Sequence, residues 1–245
     1  MSHLGTISEE LASTGDALFR RRSYMPLVLV PFFVLSVLDG RPSTPFAWEL
    51  ICFFVAVAGL VARAFVIGTA PRGASTRGTR RPSAESLSTR GAYSVVRHPL
   101  YIANTLVALG CAMLSGTWYL PLLVMLLSFV YHERIAAREE AFLLATFGDT
   151  FRAWANEVPA MFPALRGYRA ADVPFQLRKV VVQESHGLCA IGTSFLVLDT
   201  IEDSVRLGYF HLDPVWLVVF VATFIPFLIV VVLKRAPAAR VSREH

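Results

Sequence analysis

Two long apolar runs set the strongest limit on how this chain can fold. Residues 46–68 and 214–233 each approach or exceed the roughly 20 apolar residues that a helix needs to cross a bilayer. Over the 245 residues, 55% are hydrophobic and 17% are charged, whereas an average soluble domain carries about 25% charged residues. The sequence therefore predicts a membrane protein. Its basic residues flank apolar runs in short groups and give no nucleic-acid pattern.

Weaker apolar segments add further candidate spans. One runs from Tyr24 to Leu38 and another from His186 to Ile201. Between them, residues 100–131 are apolar but broken at Ser115-Gly116-Thr117, which gives two pieces of about 15 residues, short for full spans. We expect a short helical hairpin there, either tilted or crossing incompletely. The fold predicted is all-α: a polytopic helical membrane protein with about six transmembrane segments.

The placement of basic residues predicts the orientation. Lysine and arginine precede the first span, fill the 69–99 loop and the 132–185 segment, and follow the last span. Only Arg41 and Arg206 lie in loops on the other side. The positive-inside rule then places both termini in the cytoplasm. Residues 39–42 make a poor signal-peptidase site, so the first span is expected to be a retained anchor.

The three cysteines, Cys52, Cys111 and Cys189, all lie inside apolar runs and form no CxxC pair. Buried single thiols behave as small hydrophobic residues. We predict neither a disulfide nor a metal site.

A polar cluster stands at the entrance of the short hairpin. The stretch 91–101 reads Gly-Ala-Tyr-Ser-Val-Val-Arg-His-Pro-Leu-Tyr, and it places Arg97, His98 and Tyr101 beside a membrane helix, where polar groups are costly unless they are used. After the hairpin, residues 132–154 are charged with helical periodicity and read as a helix continuing into solvent. If the hairpin returns to the same face, the cluster meets Arg134, Arg138, Glu139 and Glu140.

Each of these residues alone also has an ordinary explanation. Arg97 and Arg134 are compatible with topology charges that snorkel to the interface. Tyr93 and Tyr101 fit an interfacial aromatic belt, and the adjacent glutamates fit a solvated helix face. Arg63, inside the second span, either snorkels or pairs with a carboxylate of the cluster. The segment Gln183-Glu184-Ser185-His186 reads as an interfacial linker, with a contribution to the site as the alternative.

The ordered combination resembles a known family. The matching residues are Leu87-Ser-Thr-Arg-Gly91-Ala-Tyr93, Arg97-His98-Pro99-Leu100-Tyr101, Glu139-Glu140, Leu143, Phe147-Gly148, Val158-Pro159 and Pro163. Together they resemble the isoprenylcysteine carboxyl methyltransferase and phospholipid methyltransferase family of integral-membrane, S-adenosylmethionine-dependent enzymes. The resemblance covers about residues 46–163, including Gly59 and Arg63 of the preceding span.

The resemblance implies a cofactor site, an activity and an acceptor class. It implies that S-adenosyl-L-methionine binds on the cytoplasmic face, in a pocket lined by Leu87, Ser88, Tyr93, His98, Pro99, Leu100, Tyr101 and Glu139. The residues expected to carry catalysis are Arg97, His98, Tyr101, Arg134 and Glu140. The implied partner is a membrane lipid or a lipidated small-molecule or protein acceptor.

The resemblance also divides the chain into three parts. Residues 1–45 hold a polar segment and the first membrane helix, and residues 46–163 form the methyltransferase core. Residues 164–245 add a basic connector and two C-terminal membrane helices. The roles of those two helices and the oligomeric state are left open.

The chain departs from the family pattern near the acceptor. Ile135 stands where the family places an arginine, with Arg134 one step away, and Ala103 replaces a glycine. The acceptor therefore stays open among an isoprenylated cysteine carboxylate, a phospholipid amine and another hydrophobic molecule. Two other classes also stay open: a non-enzymatic six-span transport or assembly protein, and a cofactor-binding relative that has lost activity.

Overall fold

The computed structural model describes residues 30–38, 44–71 and 86–235, and nearly all regular structure in them is helical. The helices are α1 (Val30–Leu38), α2 (Phe46–Thr69), α3 (Pro99–Met113), α4 (Tyr119–Phe147), α5 (Asp149–Glu157), α6 (Leu177–Leu207) and α7 (Pro214–Arg235). Short 3₁₀ turns lie at Ala92–Ser94 and Leu165–Gly167. In these ranges the β pairing is one isolated bridge, between Gly91 and Arg169. The all-α prediction is confirmed for this part of the chain.

Four helices of the described ranges, α2, α4, α6 and α7, are long and apolar enough to cross a membrane. Helix α3 is a shorter apolar helix of 15 residues, so it extends about 22 Å against a hydrocarbon core of about 30 Å. The membrane character of the chain is thus supported, while the count of six spans and the orientation stay predictions. Residues 24–29 of the predicted first span lie outside the described residues, and the rest of that span forms α1. Most of the 69–89 loop also lies outside the described residues.

The short hairpin forms where the sequence predicts it. Helix α3 ends at Met113 and α4 begins at Tyr119. Gly116 turns the chain with a φ of 63°, a conformation that glycine adopts without a steric penalty. Pro99 stands at the first position of α3, where its missing N–H costs no helical hydrogen bond. The two helices are unequal, since α4 runs without a break to Phe147.

Close backbone contact joins α2 to α3. A Cβ atom on Gly110 would lie 2.6 Å from the carbonyl oxygen of Cys52, and one on Gly59 would lie 2.7 Å from that of Ala103. Small residues allow membrane helices to approach in this way. The same core is completed by Phe195 of α6 and Trp216 of α7, so the C-terminal helices pack directly against the core rather than lying apart from it.

Two predicted segments differ from the structure. Helix α6 begins at Leu177, ahead of the span predicted from His186, so residues 183–186 lie inside a helix and form no linker. The helix accommodates the charged residue Glu184 because its side chain is buried against Arg63 of α2. The charged helix after the hairpin is also interrupted, at Gly148, whose φ is 53°. Helix α5 then ends at Glu157, close to the predicted end at Val158-Pro159.

Candidate active site

The 91–101 stretch folds into a compact loop before α3. Ser94 Oγ donates to the Gly91 carbonyl at 2.7 Å, and the backbone N–H of Arg97 donates to the Pro159 carbonyl at 2.8 Å. The indole Nε1 of Trp154 donates to the Tyr93 carbonyl at 3.2 Å. The loop is therefore held by residues that follow α4 in the chain, which fixes the backbone of Arg97 at the start of α3.

A charged cluster joins this loop to α4. Arg97 Nη1 lies 2.7 Å from Glu140 Oε2, and His98 Nε2 lies 2.9 Å from Glu140 Oε1. His98 Nδ1 lies 3.8 Å from the second glutamate, at Glu139 Oε2. The predicted meeting of the motif with the charged helix is present, and Glu140 is the residue that joins them.

Stacked rings extend from this cluster along α3 and α4. The imidazole of His98 stacks on Tyr101 with ring centroids 5.2 Å apart, and Tyr101 stacks on His132 at 4.7 Å. His132 is buried, and its Nδ1 lies 3.4 Å from the Thr105 hydroxyl. Sequence reasoning missed His132. Its position seven residues before Glu139, two helical turns away on the same face, was the signal that pointed to it.

The remaining predicted pocket residues differ in their burial and in their packing partners. Leu87 and Tyr93 pack against Phe151 and Trp154 of α5. Burial raises the pKa of the Tyr93 hydroxyl, and the nearby charge of Glu139 adds to the shift. Pro99 is buried at the start of α3, whereas Ser88 and Leu100 are partly buried.

Two further basic residues that the sequence singles out are Arg134 and Arg63. Arg134 is partly buried on α4, next to Ile135, which is fully buried in the helix packing. Arg63 forms a two-point ion pair with Glu184 of α6, with N–O distances of 2.8 and 2.9 Å. It also donates to the Asn104 side chain of α3. Arg63 therefore neither snorkels nor pairs with the glutamates of α4.

The polar groups of the cluster fit a ligand that offers hydroxyl and carboxylate groups. Both oxygens of Glu140 are engaged, whereas the Glu139 side chain is 30% exposed. Arg97 Nε is buried and finds no acceptor among the residues that the structure describes. A buried donor of this kind is costly unless a ligand satisfies it. Within the described ranges, no group of three or more His, Cys, Asp or Glu side chains is placed to hold a metal ion.

Fold and site together define a helical membrane protein with a charged cluster at the entrance of a short hairpin. Residues 74–150 match the family model described as phospholipid methyltransferase. The match includes the loop, the hairpin and both glutamates of the cluster.

Two curated proteins are each similar to about a third of the chain. A protein-S-isoprenylcysteine O-methyltransferase of Schizosaccharomyces pombe is 33% identical over 87 residues, which are 36% of this chain and 37% of the relative. The cobalt-zinc-cadmium resistance protein CzcN of Cupriavidus metallidurans is 33% identical over 84 residues, 34% of this chain and 38% of the relative. The chain thus spans well under half the length of either relative. No solved structure matches it.

Proposed function

We propose that the protein is an integral-membrane methyltransferase that uses S-adenosylmethionine to methylate a lipid or a lipidated acceptor. The observation that carries the proposal is the convergence of Arg97 and His98 on Glu139 and Glu140 at one end of the short hairpin. The family of residues 74–150 and the similarity to an isoprenylcysteine O-methyltransferase support the same chemistry. The cofactor enters from the cytoplasm, the side assigned by the basic loops.

The residues divide into those that meet the cofactor and those that position them. When bound, S-adenosylmethionine supplies a methyl group on a sulfonium sulfur, a good leaving group, so the protein mainly has to align the acceptor. Glu139 is the carboxylate available to the ribose hydroxyls. Arg97 Nε offers a donor to a ligand carboxylate. Glu140 is a positioning residue, since it holds both Arg97 and His98.

The identity of the acceptor decides whether a base is needed. A carboxylate acceptor has no proton to lose, whereas an amine or hydroxyl must give one up. Both oxygens of Glu140 are already in contact with Arg97 or His98, so neither is directed at an acceptor. In the neutral form that a base requires, an Nε2 proton of His98 donated to Glu140 leaves the lone pair on Nδ1. For an amine or hydroxyl acceptor we assign the base role to His98.

Two measurements test the proposal in sequence. Isothermal titration of the purified protein with S-adenosylmethionine should give saturable binding, and its absence would reject the enzyme in favour of a transport or assembly protein. Methyl-labelled cofactor should then transfer its label into a total lipid extract. Binding without transfer would identify a relative that has lost activity. Mass spectrometry of lipids from cells with and without the protein identifies the acceptor.

A further inference from the structure

The segment that follows α5, residues 158–178, is apolar on the outside. Several of its large side chains are exposed over half or more of their surface, which is unusual for a connector in contact with water. The exposed fractions are 79% for Phe162, 77% for Leu165, 53% for Tyr168, 51% for Phe175 and 64% for Leu177. We call residues 158–178 the strap. Its exposed side chains require a partner that accepts apolar groups.

The strap is fastened at both ends to parts of the molecule that lie near the membrane boundary. At one end, the N–H of Ala164 donates to the Val95 carbonyl at 2.8 Å, just before α3. At the other end, the N–H of Gln176 donates to the Gly68 carbonyl at 2.9 Å, and Phe175 covers Gly68. Gly68 lies in the last turn of α2, a candidate membrane span. The strap is therefore level with the end of a membrane helix.

The charges of the strap point to a partner with negative groups. It carries three arginines against a single acidic residue, Asp172. Arg169 pairs with Glu157 at 2.8 Å and Asp172 with Arg90 at 3.3 Å. Arg166 and Arg178 are exposed, and neither forms an ion pair within the described part of the chain. Exposed aromatic and aliphatic groups beside arginine are typical of segments that lie in the membrane interface.

We propose that the strap lies in the headgroup layer of the bilayer. Phe162, Leu165 and Phe175 insert at the boundary of the acyl chains, and Arg166 and Arg178 bind anionic lipid headgroups. The occupant of this surface is the membrane itself, because the strap is level with the end of α2. Since the strap also holds the backbone of Val95 and Arg97, the bilayer supports the loop that begins the candidate active site.

The depth of the strap can be measured in nanodiscs. In a background with Cys52, Cys111 and Cys189 replaced by alanine, an environment-sensitive fluorophore is attached at Leu165→Cys. The matched control carries it at Asp149→Cys, whose side chain is 95% exposed at the start of α5. We expect a blue-shifted emission at 165 that is quenched by nitroxide lipids, and emission at 149 that is quenched by iodide. Equal quenching by iodide at both positions would overturn the proposal and favour a docking site for a soluble protein.

The role of the arginines has a separate readout that does not depend on enzymatic activity. The melting temperature of the wild type should rise when phosphatidylglycerol is added to phosphatidylcholine nanodiscs. The double variant Arg166→Glu/Arg178→Glu should lose this increase. Arg152→Glu, a control at an exposed arginine of α5, should keep it. The same increase in the double variant as in the wild type would contradict headgroup binding by the strap.

Discussion

At the scale of the residue, Glu140 is the centre of the candidate active site. The Glu140 carboxylate forms one hydrogen bond with Arg97 through Oε2 and another with His98 through Oε1. Hydrogen bonds of this charge-assisted kind are the stronger ones in proteins. Glu139, its neighbour in the chain, stays partly exposed. Adjacent glutamates thus take different roles because consecutive residues of a helix point in different directions.

The role assigned to Glu140 leads to a first prediction. Glu140→Gln keeps the shape but weakens both contacts, so we expect a loss of about 1–3 kcal/mol in cofactor binding, measured by titration calorimetry. Glu133→Gln, at an exposed position of the same helix, is the control and should bind as the wild type does. Unchanged affinity in Glu140→Gln would mean that the cluster does not position the cofactor site.

A second prediction concerns the residues expected to meet the cofactor. Tyr101→Ala removes the ring between two imidazole stacking contacts, and Glu139→Ala removes the available carboxylate. Each should abolish measurable cofactor binding, while Tyr101→Phe, which keeps the ring, should retain most of it. Wild-type affinity in both alanine variants would show that the pocket is elsewhere.

At the scale of the element, α2 organises the packing. On one side of α2, Gly59 and Ala56 are small enough for the backbone of α3 to pack closely against it. The Arg63 side chain of α2 forms hydrogen bonds with both α3 and α6. Helices without a hydrophobic driving force between them associate through such close contacts and polar pairs. The polar pair explains why α6 tolerates a buried glutamate in a candidate span.

The close approach of α2 and α3 gives a third prediction. Gly110→Val would place side-chain atoms against the backbone of Cys52 and Ala56, and overpacking of this kind costs about 1–3 kcal/mol. We expect a lower melting temperature in detergent. Ala145→Val, at an exposed position of α4, should melt as the wild type does. Equal melting of both variants would argue against direct helix contact at Gly110.

The ion pair between α2 and α6 gives a fourth prediction. Glu184→Ala leaves the partly buried Arg63 without its carboxylate, and loss of one partner of a buried pair costs about 3–5 kcal/mol. The double variant Arg63→Met/Glu184→Met removes both charges and should be more stable than Glu184→Ala. Denaturant unfolding in mixed micelles measures both. A double variant less stable than Glu184→Ala would contradict the pairing.

At the scale of the whole molecule, the short hairpin and the strap bring the candidate active site to one end of the helices. Helix α3 is too short for a full span of ordinary length, so the loop before it lies close to the bilayer. Under the proposed function, a site at this depth is open to a soluble cofactor from the water and to an acceptor from the lipid. This two-sided access is the physical advantage of building such a site in a membrane.

The orientation of the molecule gives a fifth prediction. A reporter that is active only in the cytoplasm should be active when fused after residue 80 and inactive when fused after Gly116. The basic residues on either side of the hairpin are the reason, since they resist translocation. The reverse pattern would place the candidate active site on the opposite face.

The sequence by itself determined the helical membrane class, the break at residues 115–117 and the meeting of Arg97 and His98 with the two glutamates. Apolar length, turn residues and helical periodicity are local properties that the sequence shows directly. The break predicts a hairpin, and a hairpin brings the segments before and after it to the same end. The start of α6, the partner of Arg63 and the stack on His132 were decided only by the tertiary structure. Each depends on which side chain meets another across two helices, and periodicity gives the face on which a residue lies but not its partner on another helix. Glu184 is polar by sequence, but its burial is stable because Arg63 of α2 lies opposite.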